Sequence, residues 1–317
     1  MSPQSVLQAA ECLAAVVPPT PVLMHEGLNQ QLGYEIFFKC ENLQRTGAFK
    51  FRGAYYALSQ LSEKEKKAGV VAYSSGNHGR ALACAARLLN ISATIFMPED
   101  APAIKQHSAR DEGAEVILYD RHRQSREALA AELVEARGLT LIPPFDHPNV
   151  IAGQGTAVLE LFQQAGKLDA ILVCVGGGGL LSGSILARNL MQPECEMFGV
   201  EPAAGNDVQQ SVQKGEIVTI PVPDTIADGA QTRAASPLTF SIIQKNVKAI
   251  LTITDDELIH QMRWFAEQMK LVVEPTGCLA AAALPQLTMK QGSRIGVLIS
   301  GGNVDLASWM HWVGSVV

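Results

Sequence analysis

No C-x-x-C pair occurs among the six cysteines of this 317-residue chain; Cys12, Cys40, Cys84, Cys174, Cys195 and Cys278 are scattered along it. Most lie inside apolar runs, where a thiol behaves as a small hydrophobe, so they predict a reducing, cytoplasmic setting without a disulfide framework. Basic blocks are missing too. With 25 Lys and Arg against 31 Asp and Glu and a net charge of -6, the chain offers no electrostatic footprint for a phosphate backbone, which excludes nucleic acid as a partner. The opening MSPQSVLQAAECLAAVVPPTPV has no basic n-region and interrupts its apolar stretch with Glu11. It predicts neither a secretory leader nor a membrane span. Internal repeats and low-complexity tracts are also absent.

What is present describes an ordinary globular chain. Apolar residues make up 47% and charged residues 18%, and the length predicts about two domains at roughly 150 residues each. Short apolar, β-rich runs recur: EIFFKC (35–40), VVAY (70–73), ATIFMP (93–98), EVILYD (115–120), AILVCVG (170–176), MFGVEP (197–202) and IGVLIS (295–300). Segments of helical period separate them, among them LSEKEKKAG, SREALAAELVEARG and DDELIHQMRWFAEQM. This alternation predicts an α/β fold with mainly parallel sheets. In such sheets ligands lie beyond the carboxyl ends of the strands, so the residues after each strand are the place to look for chemistry.

Four such segments stand out. In VCVGGGGLLSG, a buried strand runs into Gly176, Gly177, Gly178 and Gly179 before a helix beginning near Leu180. Residues without Cβ let main-chain N–H groups close on an anion, and the helix start adds its positive end. The segment predicts a phosphate cradle. It is neither a G-K-[ST] loop nor G-x-G-x-x-G at any register, which disfavours a dinucleotide module. In SSGNHG, Ser74, Ser75, Asn77 and His78 form a polar turn between a strand and a helix, able to hold a carboxylate or to serve as a simple N-cap. In GAFKFRGA, Lys50 stands between Phe49 and Phe51 near a helix start. Aromatic neighbours and the positive helix end push an amine toward its neutral, nucleophilic form, though most lysines are solvated surface groups. The fourth segment, ISGGNVD, ends a strand in Ser300, Gly301, Gly302 and Asn303; it suits a flat ligand or a plain turn.

Taken in order, PPTPV, KCENLQRTGAFKFRGA, SSGNHG, VIAGQGT, VGGGGLLSG, EP, TIADG, MKLVVEPT and SGGNVD resemble the fold-type II pyridoxal 5'-phosphate enzymes, specifically the serine racemase and serine/threonine dehydratase family. The resemblance covers essentially the whole chain. It implies a large cofactor-binding domain from residues 1–68 and 147–317, a small substrate-gripping domain from 69–146, and a homodimer. Lys50 matches the lysine that carries the cofactor, and Phe49 the aromatic residue beside it. Gly176 to Gly179, with Leu180, match the phosphate loop; Asn77 matches the amide on the ring hydroxyl, and Ser300 the group facing the pyridine nitrogen. A neutral serine there leaves that nitrogen unprotonated, which suits elimination over transamination. Ser74, Asn77 and His78 match the loop that grips the substrate α-carboxylate.

The reaction implied is β-elimination from a β-hydroxy amino acid, with Lys50 removing the Cα proton and the β-hydroxyl leaving toward the cofactor phosphate. Glu201, Gly205 and Asp207 match a site for Mg²⁺, Ca²⁺ or Mn²⁺, a hard cation that oxygen ligands suit. Arg80 and Glu112 depart from the pattern of nucleotide-binding relatives, so no activation by ATP is expected. The chain past SGGNVD is too short for the regulatory domain of the longer threonine dehydratases. Ser75 matches a racemase acid/base and implies racemase side activity. Arg126 matches an arginine that reaches the distal carboxylate of dicarboxylates, and Thr232 replaces a carboxylate-contacting serine. Arg126 favours threo-3-hydroxyaspartate, converted to oxaloacetate and ammonia, whereas Thr232 keeps the hydroxyl of that serine and changes the shape. L-serine or L-threonine dehydration, or serine racemisation, is the alternative within the family. A catalytically silent amino-acid- or nucleotide-binding module would keep the fold but lose the lysine or the polar turn, and neither is lost.

Overall fold

The computed structural model describes residues 1–74, 76–99, 101, 103–120 and 123–314, without the side chains at 103–105, 126 and 127. Ten strands form two sheets: β1 (Val22–Leu23), β2 (Glu35–Cys40), β3 (Val70–Tyr73), β4 (Ala93–Pro98), β5 (Glu115–Tyr119), β6 (Thr140–Leu141), β7 (Ala170–Cys174), β8 (Glu196–Pro202), β9 (Ala249–Ile253) and β10 (Arg294–Ile299). The first sheet has the order β1-β2-β10-β7-β8-β9 and the second β5-β4-β3-β6. Among the described strands only β1 pairs antiparallel, and all other strand pairings are parallel. Every strand of the second sheet falls between residues 70 and 141, while the first is assembled from both ends of the chain.

The strand sequences explain this arrangement. Val297, Leu298 and Ile299 of β10 and all of β7 are buried, as strands covered by helices on both faces must be. Lys39 in β2 is a buried polar residue. Its ammonium donates to Glu160, to Gln164 and to the Thr20 carbonyl, each at 2.8 Å. Arg52, also fully buried, pairs with both Glu41 and Glu160 and completes a network of two cations and two carboxylates. A buried charge is tolerable only when paired and hydrogen-bonded, and each here is.

Helix Pro148–Ala165 runs between the two helices that carry the candidate site, Lys50–Ser59 and Gly179–Met191. Glycines set its spacing on both sides. A methyl at Gly153 would lie 2.6 Å from the Arg52 carbonyl oxygen, and one at Gly155 would lie 2.4 Å from that of Gly183. Main chain therefore touches main chain along both seams.

Candidate active site

The four chemistry-bearing segments all follow carboxyl ends of strands: 41–50 after β2, 74–78 after β3, 175–179 after β7 and 300–303 after β10. Lys50 is the first residue of its helix, entered through a turn in which Thr46 and Gly47 both take positive φ. Its ammonium donates to the Pro144 carbonyl at 3.0 Å and lies 5.0 Å from the centre of the Phe49 ring. Desolvation lowers its pKa to about 8, against the nearby Glu274 carboxylate, which favours the ammonium. The amine is thus far closer to neutral at physiological pH than an ordinary lysine.

Pro144 also receives the Gln154 amide at 3.3 Å, and the next residue, Phe145, covers the glycine loop. A methyl at Gly177 would sit 2.3 Å from the Phe145 ring, and one at Gly179 would sit 2.7 Å from Gln154 Oε1. Gly178 has φ +86°, a conformation glycine adopts freely. Leu180 is buried in the first turn of the helix that follows. Thr232 packs beside Gly176, its methyl 3.7 Å from where a Cβ would stand, and its buried hydroxyl has no partner among the described residues.

Ser300 is buried after β10 and accepts the Phe49 N–H at its carbonyl, with the Cys174 thiol near its hydroxyl. Burial pushes that thiol up to about 11, so it stays protonated. Asn77 begins helix Asn77–Leu88; its amide donates to Glu274 Oε1 at 2.7 Å and accepts from Asn303 at 2.8 Å. Ser74 accepts the Gly76 N–H at 3.3 Å. His78 sits 2.9 Å from the Ile142 carbonyl through Nε2, and Nδ1 is buried without a partner among the described residues. A carbonyl only accepts, so Nε2 carries the proton and Nδ1 is a bare acceptor. Burial, reinforced by the Lys50 charge, lowers this imidazole to about 3.

Two sequence candidates lie partly or wholly beyond this description. Ser75 is outside the described residues, and of Arg126 only the main chain is described, at the start of helix Arg126–Arg137 behind the N-cap Ser125. The motif reading also passed over Glu274, Gln154, Phe145 and Cys174. Glu274, Gln154 and Cys174 lie in the quoted segments MKLVVEPT, VIAGQGT and VCVGGGGLLSG, but Glu274 acts at a distance in the chain. Its contact with Asn77 spans 197 positions and leaves no local signature.

A second cluster is built around β8. Glu201 is fully buried and accepts the main-chain N–H groups of Val208 and Gln209 at 3.0 and 2.8 Å. Asp207 is equally buried, and both its oxygens lack a partner among the described residues. Burial, with Asp207 as a like-charged neighbour, raises Glu201 well above the usual carboxylate range; burial raises Asp207 to about 7. Among the described residues no group of three or more His, Cys, Asp or Glu side chains converges.

Residues 13–301 match the family described as pyridoxal-phosphate dependent enzymes. The chain belongs to this family. It is 53% identical over 309 residues to a serine racemase of Schizosaccharomyces pombe, spanning 97% of this chain and 96% of the relative. It is likewise 53% identical over 305 residues to an L-threo-3-hydroxyaspartate ammonia-lyase of a Pseudomonas species, spanning 96% of each. Among solved structures, maize serine racemase superposes with a TM-score of 0.94 at 35% identity, covering 98% of this chain and 96% of that one. The family fold is α/β, as the strand pattern predicts, and of the fold-type II architecture that the resemblance implies.

The residues present suit the family's cofactor. Glycines occupy a loop where side chains would collide, a lysine near neutrality stands beside it, and unpartnered polar atoms of Thr232, Gln154 and His78 are buried in the same neighbourhood or in contact with it. Buried polar atoms left without a partner cost free energy, which a bound ligand relieves.

Proposed function

We propose that this chain is an ammonia-lyase that eliminates the β-hydroxyl of threo-3-hydroxyaspartate, giving oxaloacetate and ammonia, with racemase side activity. The observation that carries the reaction class is the near-neutral Lys50 amine held on the Pro144 carbonyl, next to Phe145, which packs on the glycine loop. Bound pyridoxal phosphate supplies an electron sink that makes the substrate's Cα proton removable. Lys50 Nζ takes that proton. The glycine loop and the helix beginning at Gly179 hold the phosphate with main-chain N–H groups. Ser74 and the first-turn N–H groups of helix Asn77–Leu88 bind the α-carboxylate. His78, whose ring has only an acceptor to offer, contributes there through its main-chain N–H. Loss of the β-hydroxyl with the Cα proton, then hydrolysis of the released enamine, gives the 2-oxo acid and ammonia.

Substrate choice rests on Arg126. Serine and threonine would leave its guanidinium without a task, whereas a distal carboxylate accepts a bidentate pair. Equal identity to a serine racemase sustains a second reading, serine racemisation, with Ser75 as the proton carrier on the face opposite Lys50. The buried, unpartnered Asp207 beside Glu201 supports a divalent cation held by these carboxylates, the Gly205 carbonyl and waters. We assign residues 1–68 and 147–317 to a cofactor domain and 69–146 to a substrate-gripping domain, which agrees with the second sheet lying wholly between residues 70 and 141. A cytoplasmic homodimer completes the reading; no helix of the described residues is long and apolar enough to cross a membrane.

Comparing kcat/KM for L-serine, L-threonine and both threo-3-hydroxyaspartate enantiomers tests the substrate. Hydroxyaspartate should lead, and Arg126→Ala should lower its kcat/KM about 10- to 100-fold, the scale of a charge-assisted pair. Preference for serine or threonine refutes the assignment. For the second reading, Ser75→Ala should abolish racemisation and elimination from D-substrates while sparing elimination from L-substrates.

A further inference from the structure

The Asn77 amide stands in a chain of hydrogen bonds whose two ends are charged. Arg80 Nη1 donates to Asn303 Oδ1 at 3.0 Å. Asn303 Nδ2 donates to the Thr46 carbonyl at 2.7 Å and to Asn77 Oδ1 at 2.8 Å, so both its hydrogens are used. Asn77 Nδ2 donates in turn to Glu274 Oε1 at 2.7 Å.

A side-chain amide is nearly symmetric in shape, and which end is oxygen is decided by its neighbours. Here the neighbours allow one answer. A guanidinium only donates and a carboxylate only accepts. Turning Asn303 over would set its NH₂ against the Arg80 donors and its oxygen against the Thr46 carbonyl, two repulsive contacts at once. The positive-φ turn at Gly47 packs against the same amide, with a Cβ there falling within hydrogen-bond length of Asn303 Oδ1, so the group has little room to turn. With Asn303 fixed, Asn77 must present its oxygen to Asn303 and its nitrogen to Glu274. One N–H of Asn77 remains to point elsewhere.

We infer that Arg80 and Glu274 are positioning residues that lock the direction of the Asn303 and Asn77 amides, so that Asn77 meets the cofactor as a donor. This rests on the reading that Asn77 faces the cofactor's ring hydroxyl. The lock also joins two parts of the fold, since Arg80 and Asn77 lie on the helix after β3 whereas Asn303 and Glu274 belong to segments flanking β10 and the helix Pro275–Ala282.

The test measures the visible absorption band of the holoenzyme and the pyridoxal phosphate affinity of the apoenzyme, in the full chain. Arg80→Met removes the donor and keeps the stem; Asn303→Asp still accepts from Arg80 but cannot donate to Asn77. Each should shift the band and weaken cofactor affinity about tenfold, the scale of one charge-assisted hydrogen bond. Arg80→Lys, still an obligate donor, should restore both readouts, which a merely structural role for the guanidinium would not give. Asn77→Ala is the reference. If it shifts the band while Arg80→Met and Asn303→Asp do not, the lock is refuted and the role of Asn77 stands. If Asn77→Ala is itself silent, the reading of Asn77 fails and the lock falls with it.

Discussion

Lys39, fully buried, and Lys50, half-buried, have opposite fates. Burial lowers the pKa of both Lys39 and Lys50, yet Lys39 spends its three N–H bonds on Glu160, Gln164 and the Thr20 carbonyl, while Lys50 rests on the carbonyl of Pro144 against an aromatic ring. Glu160 holds Lys39 as a cation; nothing so close holds Lys50. The neutral fraction of the Lys50 amine should therefore rise through pH 7 and approach completion above its pKa of about 8. Stopped-flow capture of pyridoxal phosphate by the apoenzyme should follow the same curve, and a midpoint near the ordinary lysine value of 10.5 would refute it. Borohydride reduction followed by peptide mapping should place the pyridoxyl group on Lys50. The flanking phenylalanines make this lysine legible from sequence. Glu274 is not legible in that way, because its importance arises only when it meets Asn77 from 197 positions away, and Gln154 matters through Pro144, which Lys50 reaches across 94 positions.

At the scale of elements, strands β2, β3 and β4 coincide with the runs EIFFKC, VVAY and ATIFMP, because a buried parallel strand writes itself as an unbroken apolar stretch. Strands β1 and β6, two residues each, are too short to show a period, and β9 lies at an edge with only partial burial. Likewise DDELIHQMRWFAEQM reads as one helix but changes to a π-turn at Phe265–Met269. The glycine seams along helix Pro148–Ala165 give this scale its prediction. A methyl at Gly183 would lie 2.2 Å from the Ile151 carbonyl oxygen, so Gly183→Ala should cost about 3 kcal/mol in thermal or denaturant unfolding. Gly314→Ala, with nothing near its would-be Cβ, should stay within about 0.5 kcal/mol. Equal effects would mean that the seams are not close-packed.

For the molecule as a whole, the Glu201 and Asp207 pair should make stability depend on pH and, on the proposed reading, on cations together. Asp207 titrates at about 7 when folded against 3.8 ordinarily, so the folded state holds its proton more tightly than the unfolded state does. Its unfavourable contribution is absent below pH ~4, grows as pH rises, and is complete above about 7. The chelated protein should accordingly lose at least ~2 °C in Tm between pH 5 and pH 7.5 from this source. Saturating Mg²⁺ or Ca²⁺ should recover it at the upper pH by binding the folded state alone. Calorimetry across pH with and without chelator decides, and an identical profile in both removes the cation from the reading.

The seams at Gly153 and Gly155 also bear on how such a chain tolerates change over generations. Pyridoxal phosphate has a fixed length, and the helices bearing Lys50 and the glycine loop flank the same central helix. Where side chains separate two helices, each substitution resets the gap, and drift accumulates in the dimension that, on the proposed reading, the ligand spans. Here peptide groups abut directly, so the gauge contains no adjustable part. Mutation can rewrite the surrounding core without stretching that span.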